Sequence, residues 1–260
     1  MAVGTIRDSN IRNARRTRAE SSHTNYVKHD VEIMKALRNL STPTVSNTIE
    51  SFNVRPRSTG FMNSSIKCIF PDLGVMVGYA VTGQIKSSTR PSENSLERTF
   101  QYWENIMQVP EPRIAVIEDL DDPLCLGAFW GEVNVSIHKA LGCIGTVTNG
   151  GVRDLNEVRG MVFHYFATSV LVSHAYVHVV DFGKTVRVGG LEVNQGDLLH
   201  CDEHGVLQIP HSVAERIPEA ADFIVEREKE LIQLCNSKSF SLESLKKKLS
   251  DFRDAEKDFH

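Results

Sequence analysis

The apolar positions of the chain first follow a helical rhythm. Val31, Met34, Leu37 and Leu40 recur every three or four residues, so they share one helix face, and Asp30 stands where a side chain can cap the first amides. Thr42-Pro43 interrupts this pattern, and Val45, Ile49 and Phe52 resume it as a second short helix. After a turn-rich stretch the rhythm changes. Apolar runs at residues 74–82, 114–117 and 144–147 read as strands, and residues 133–141 read as a helix between the last two, which makes a strand–helix–strand unit. Further short strands are predicted at 163–172, 177–180, 185–188 and 198–209, broken by glycine turns, as parts of a mixed sheet. Ser212 and Glu215 have the S-x-x-E spacing of a capping box ahead of a helix carrying Ile217, Ala221, Ile224, Leu231 and Cys235, with Pro218 early enough to be tolerated or to kink it. A last amphipathic helix carries Leu242, Leu245, Leu249 and Phe252.

Composition narrows the class. With 260 residues, 41% hydrophobic, the chain can bury a core that needs no disulfide or structural metal. A net charge of −4 lacks the footprint of a nucleic-acid binder, and no apolar run approaches a membrane span, so neither partner is expected. The cysteines Cys68, Cys125, Cys143, Cys201 and Cys235 are scattered and never form C-x-x-C; each reads as a small buried hydrophobe in a reducing, cytoplasmic setting. Residues 1–29 hold Arg7, Arg12, Arg15, Arg16 and Arg18 with few large apolar residues, the composition of a flexible arm. They contain no secretory core, and Asp8 and Glu20 argue against a transit peptide. The expected organisation is an arm (1–29), a catalytic α/β domain (30–235) and a C-terminal helical extension (236–260).

Two segments carry chemistry. Gly131-Glu132-Val133-Asn134 sits where a strand passes into a helix, so free amides and the positive end of the helix dipole favour an anion. Thr148-Asn149-Gly150-Gly151-Val152-Arg153-Asp154 follows a strand; its glycines make a tight loop at the carboxyl end, where ligands of α/β sheets bind. Arg153 can fork onto a carboxylate, and Asp154 is a hard oxygen ligand suited to Mg2+ or Mn2+. Together these suit a 2-oxo acid, its carboxylate held by amides and guanidinium and its enolate stabilised by the metal. From the residues alone, however, an Arg–Asp neighbour pair is ordinarily a surface ion pair or a turn cap.

The ordered set is more specific. Residues 40–45 (LSTPTV), residues 77–82 (VGYAVT), Gly131-Glu132, residues 151–154 (GVRD), residues 189–193, Gly196-Asp197 and residues 202–206 (DEHGV) together resemble the RraA-like family of 4-hydroxy-4-methyl-2-oxoglutarate aldolases and regulators of ribonuclease activity A. The resemblance runs from about residue 40 to 230. It implies a compact β/β/α, swivelling-domain-like fold with mixed sheets, and homo-oligomers, trimers or dimers of trimers, with active sites at subunit contacts. It also implies a lyase that releases pyruvate, with oxaloacetate decarboxylation as a side activity. By the same resemblance Gly131, Glu132, Val133 and Asn134 offer backbone amides, Arg153 binds the substrate carboxylate, Asp154 binds the metal and Glu132 positions a catalytic water. Aldolase members of that family also use a glutamate from a neighbouring subunit, which Glu228 or Glu230 on the late helix could supply. The alternative is a non-catalytic, protein-binding regulator of ribonuclease activity, favoured only by the basic arm and Lys246-Lys247-Lys248. His174, His178, His200 and His204 fall outside the pattern and read as strand-borne surface residues, and Trp103 and Trp130 as packing residues, Trp130 also able to wall the pocket.

Overall fold

The computed structural model describes residues 25–257. The arginines of the expected arm lie outside them. The elements run α1 Val31–Arg38, α2 Thr42–Ser51, β1 Lys67–Cys68, β2 Met76–Lys86, α3 Ser95–Ile106, β3 Arg113–Asp119, β4 Ala128–Trp130, α4 Glu132–Ala140, β5 Cys143–Thr148 and β6 Gly151–Val152. Then follow α5 Leu155–Gly160, β7 His164–Ala167, β8 Ser169–Val170, β9 His178–Phe182, β10 Val186–Val188, β11 Leu191–Val193, β12 Leu198–Asp202, β13 Gly205–Ile209, α6 Ile217–Cys235 and α7 Leu242–Lys257.

Eight strands form one mixed sheet in the order β1-β7-β5-β3-β2-β12-β13, curled into a nearly closed barrel. The parallel strands β2, β3, β5 and β7 form its middle. The eleven-residue β2 shares its other edge between two antiparallel partners, β12 at its start and β9 at its end. Alternation sorts its side chains: Val77, Tyr79 and Val81 pack with the helices, whereas Met76 and Ala80 join a second core with Val116, Phe166 and Leu199. The β10–β11 hairpin adds Val186, Val188 and Val193 to that second core.

Asp30 caps α1, its side chain accepting from the Glu32 amide; Met34 and Leu37 are buried, but Val31 is exposed. Ser41 caps α2 by accepting from the Thr44 amide, so Pro43 falls in the first turn, where it lacks no needed donor. Three expectations need correcting. The Ser212–Glu215 capping box does not form. A helix starting at Ser212 would put Pro218 against the carbonyl four residues back; instead residues 214–216 make a 3-10 turn and α6 begins at Ile217 with Pro218 in its first turn. The cysteines are not uniformly buried, since Cys143 and Cys201 are buried but Cys235 is exposed. His200 is no surface residue. It is fully buried, its Nδ1 bonded to the Thr42 hydroxyl at 2.8 Å and its Nε2 to the Leu37 carbonyl at 3.0 Å, which ties α1 and α2 to the barrel. The sequence pattern also passed over α3, whose Tyr102 and Ile106 are fully buried. Among the described residues no helix is long and apolar enough to cross a membrane.

Candidate functional site

A small parallel sheet, β4-β6-β8, assembles the candidate site. Its register sets Trp130 opposite Val152, and the Arg153 amide donates to the Trp130 carbonyl at 2.9 Å. Gly131 and Arg153 therefore leave adjacent strand ends together. Gly151 and Val152 are thus a short strand and not the free loop that the two glycines suggested.

Gly131 is the extended residue ahead of α4 and brings no side chain to cap it. The cap comes from 22 residues on: Asp154 Oδ2 accepts the Glu132 amide at 2.9 Å. A carboxylate at a helix start is favoured by the unpaired amides and the dipole. Asp154 reaches that place because its own backbone is left-handed, φ 56° and ψ 49°. A Cβ at residue 131 would lie 2.5 Å from Asp154 Oδ2 and 3.0 Å from Arg153 Nε, so glycine lets these two side chains come this close to the start of α4.

Arg153 Nε lies 3.7 Å from Asp154 Oδ2, and both side chains are 34% exposed. The outer nitrogens of the guanidinium and Asp154 Oδ1 have no partner among the described residues. The Val133 and Asn134 amides are also free, because the first helical bond of α4 runs from the Val135 amide to the Gly131 carbonyl. Of the four expected amide residues, Glu132 spends its amide on Asp154, while Val133 and Asn134 keep theirs. The Asn134 side chain turns away and donates to the Phe129 carbonyl at 2.8 Å. The Glu132 side chain is exposed beside this cluster. The groups left unpaired here are the outer guanidinium edge of Arg153, one carboxylate oxygen of Asp154 and the Val133 and Asn134 amides. Among the described residues no group of three or more His, Cys, Asp or Glu side chains that could hold a metal ion is present.

Behind the site lies a polar frame that the sequence did not single out. Asp119, at the carboxyl end of β3, accepts from the amides of Asp121 and Cys125, each at 3.0 Å. Asn149 brackets the Asp119 backbone, accepting from its amide at 2.7 Å and donating to its carbonyl at 3.1 Å. Asp121 accepts from the Ser87 amide at 2.6 Å and the Ser88 hydroxyl at 2.5 Å. Burial raises the Asp119 carboxyl above the usual range. At Asp121 burial acts the same way, but the hydrogen bonds from Ser88 and Ser87 outweigh it and hold the group low. The clue was D-x-D at the end of a strand. On α4, His138 is fully buried; its Nδ1 donates to the Asn134 carbonyl at 2.8 Å, which leaves Nε2 to accept from the Tyr102 hydroxyl at 3.1 Å. Burial pushes its pKa down to about 4, so it packs neutral under Trp130. Glu228 accepts from Asn47 and Glu230 pairs with Lys248, so neither stands near Arg153 through any contact of its own chain.

A family model described as RraA-like, Aldolase/RraA, matches residues 42–208. The Legionella pneumophila protein DlpA is 25% identical over 43% of this chain and 18% of its own length. A Halalkalibacterium halodurans protein, named provisionally as a 4-hydroxy-4-methyl-2-oxoglutarate aldolase, is 26% identical over 37% of this chain and 47% of its own. The chain thus spans less than half the length of these curated relatives. Among solved structures, a Pseudomonas syringae protein superposes with a TM-score of 0.66 at 21% identity, over 86% of this chain and 96% of that one. Streptomyces coelicolor RraAS2, described as an unusual member of the RNase ES inhibitor RraA family, superposes with 0.61 at 22% identity, over 80% and 99%. At such identities the likeness establishes the fold.

Proposed function

The chain belongs to the RraA-like family, and from that premise we propose that it is a divalent-metal-dependent carbon–carbon lyase acting on a 2-oxo acid through a pyruvate enolate. The reaction envisaged is aldol cleavage of the 4-hydroxy-4-methyl-2-oxoglutarate type, with oxaloacetate decarboxylation beside it. The family covers aldolase-type and ribonuclease-inhibitor roles alike. The observation that supports the enzyme is the unspent chemistry at one point: the outer edge of Arg153, the free oxygen of Asp154 and the Val133 and Asn134 amides. A protein-docking surface has no need of this convergence.

In this reading the substrate carboxylate forks onto Arg153, and the two free amides orient its oxygens. Asp154 would hold Mg2+ or Mn2+, which supplies Lewis-acid stabilisation of the charge that develops as the carbon–carbon bond breaks. The Glu132 carboxylate holds and polarises a water, and that water gives its proton to the enolate methylene carbon. A second copy of the chain, in a trimeric ring, would cover the apolar residues that flank the site, among them Val133 at 74% and Val172 at 97% exposure.

The test is a screen of 2-oxo acids for pyruvate release with Mg2+, with Mn2+ and with EDTA. Turnover of at least one substrate, abolished by EDTA and by Asp154→Ala, is expected. No turnover of any candidate, together with capture of a ribonuclease by the purified chain, moves the assignment to the regulator.

A further inference from the structure

Beyond residue 208, where the family match ends, the chain adds the helical hairpin α6–α7. Its inner side is occupied. Arg227 lies over the Phe252 ring at 4.5 Å and donates to the Phe252 carbonyl, and Lys248 pairs with Glu230. Its outer side is open among the described residues. Val225 and Ile232 on α6 are 40% and 59% exposed, and Leu242 and Leu249 on α7 are 62% and 47% exposed. Each pair is seven residues apart, so each makes a stripe along its helix. On α6 this stripe prolongs the one that begins with the fully buried Ile217 and Ala221, past the edge of the barrel.

The charges are divided unevenly. α6 carries Glu219, Asp222, Glu226, Glu228 and Glu230 against Arg227 and Lys229, whereas the first half of α7 carries Lys246, Lys247 and Lys248 against Glu243. Among the described residues only Lys248 reaches an acid of α6, and Lys246 and Lys247 have no carboxylate partner there. A chain with one acidic and one basic helix side by side, each with an open apolar stripe, is complementary to itself. A two-fold axis lays α7 of one copy over α6 of the other.

We propose that the α6–α7 hairpin is a self-association surface, closing with its counterpart on a second copy into a four-helix bundle. Sixteen residues of α7 extend about 24 Å, and two such helices offer roughly 500 Å2 per copy, near the lower end for a specific interface. The association is therefore concentration-dependent in the micromolar range.

Sedimentation of the full chain from about 1 to 100 µM tests this. The expected result is a doubling of mass across the range, whatever ring the rest of the molecule forms. Ile232→Glu or Leu249→Glu, checked by circular dichroism for an unchanged fold, should weaken the association by at least about thirtyfold. Lys246→Glu with Lys247→Glu should weaken it too, and mixing that chain with one carrying Asp222→Lys and Glu226→Lys should restore a mixed assembly. A mass that does not change with concentration, or one that the apolar substitutions leave unaltered, overturns the proposal; so does failure of the charge-swapped pair to associate.

Discussion

At the residue scale the candidate site turns on three neighbours, Gly131, Arg153 and Asp154, and each gives a distinct expectation under the proposed function. Arg153→Lys should lower kcat/KM by about 2–3 kcal/mol, because ammonium cannot reproduce the planar fork on a carboxylate. Wild-type kinetics in that variant would reject the clamp. Gly131→Ala forces a Cβ to within 2.5 Å of Asp154 Oδ2, so Asp154 must leave the Glu132 amide. Manganese affinity, followed by electron paramagnetic resonance, should fall by about 10–100-fold while the melting temperature changes little. Unaltered Mn2+ binding would detach Asp154 from the metal. Glu132→Gln should fold normally, bind oxalate with metal, and turn over about 10²–10⁴-fold more slowly. A rate within a few-fold of wild type, with a lower melting temperature, would leave Glu132 only its favourable place at the helix dipole. The sequence singled out these residues by a strand-to-helix start and by the family resemblance, whereas the glycine loop it suggested is the short strand β6. The contact between Glu132 and Asp154 was not legible, because it depends on pairing between β4 and β6 and on a left-handed backbone at a residue that is not glycine.

At the element scale, prediction succeeded where one periodicity dominates and failed where two signals compete. The β3, α4 and β5 unit stands as its apolar runs suggest, because each run is short, continuous and bounded by turns. The α3 helix was passed over although Leu96, Phe100, Trp103 and Ile106 recur at helical spacing; of these only Ile106 is fully buried, beside Tyr102, while Leu96 and Phe100 are exposed. The start of α6 was misjudged because Pro218 was read as tolerated or kinking inside a helix opened by the capping-box spacing, whereas it sets the first turn of a helix that begins at Ile217. Helix α5 yields a prediction that does not depend on function. It ends with Val162 at φ 55°, a strained conformation for a β-branched residue and one that glycine adopts freely. Two residues earlier Gly160 is helical, and a methyl group added there would meet nothing within 4 Å. The two positions carry each other's better residue. Gly160→Ala should therefore stabilise the fold by about 0.5–1 kcal/mol, and Val162→Gly by about 1 kcal/mol. For a chain of this size each corresponds to a rise of about 2–4 °C in melting temperature, measurable by calorimetry. A fall in either variant would show that the turn is held by packing and not by backbone preference.

At the scale of the whole molecule, the alternation that sorts β2 between two cores can be read from the sequence, but the closure of the barrel cannot. Closure depends on β2 pairing with β9 and β12, about a hundred residues further along, and no local pattern specifies which distant strands meet. The closed core has a consequence for acid stability, because it buries imidazoles that no local pattern places inside. His138 lies under α4 and His164 stands on β7, and burial pushes both from the ordinary 6.5 to about 4, with Arg38 adding to the effect at His164. Both groups are neutral in the folded protein until the pH approaches 4, whereas in the unfolded chain they begin to take up protons near 6.5. A depressed folded-state pKa means that the unfolded state binds more protons between those limits, so stability is fully present above about pH 6.5 and is lost as the pH falls toward 4. His138 and His164 together give a slope of about 2.7 kcal/mol per pH unit in the middle of that window, and His200 and His211, also lowered by burial, add to it. Asp119, raised by burial, works the other way near the carboxylate range and moderates the loss at its lower end. Urea titrations at half-unit steps from pH 7 to 4.5 should show this slope. His164→Leu removes one of these groups together with a buried Nδ1 that has no hydrogen-bond partner, so it should lower the slope by about 1.4 kcal/mol per pH unit without weakening the fold at pH 7. A slope unchanged in that variant would mean that His164 is protonated in the folded barrel, and that the acid sensitivity arises elsewhere.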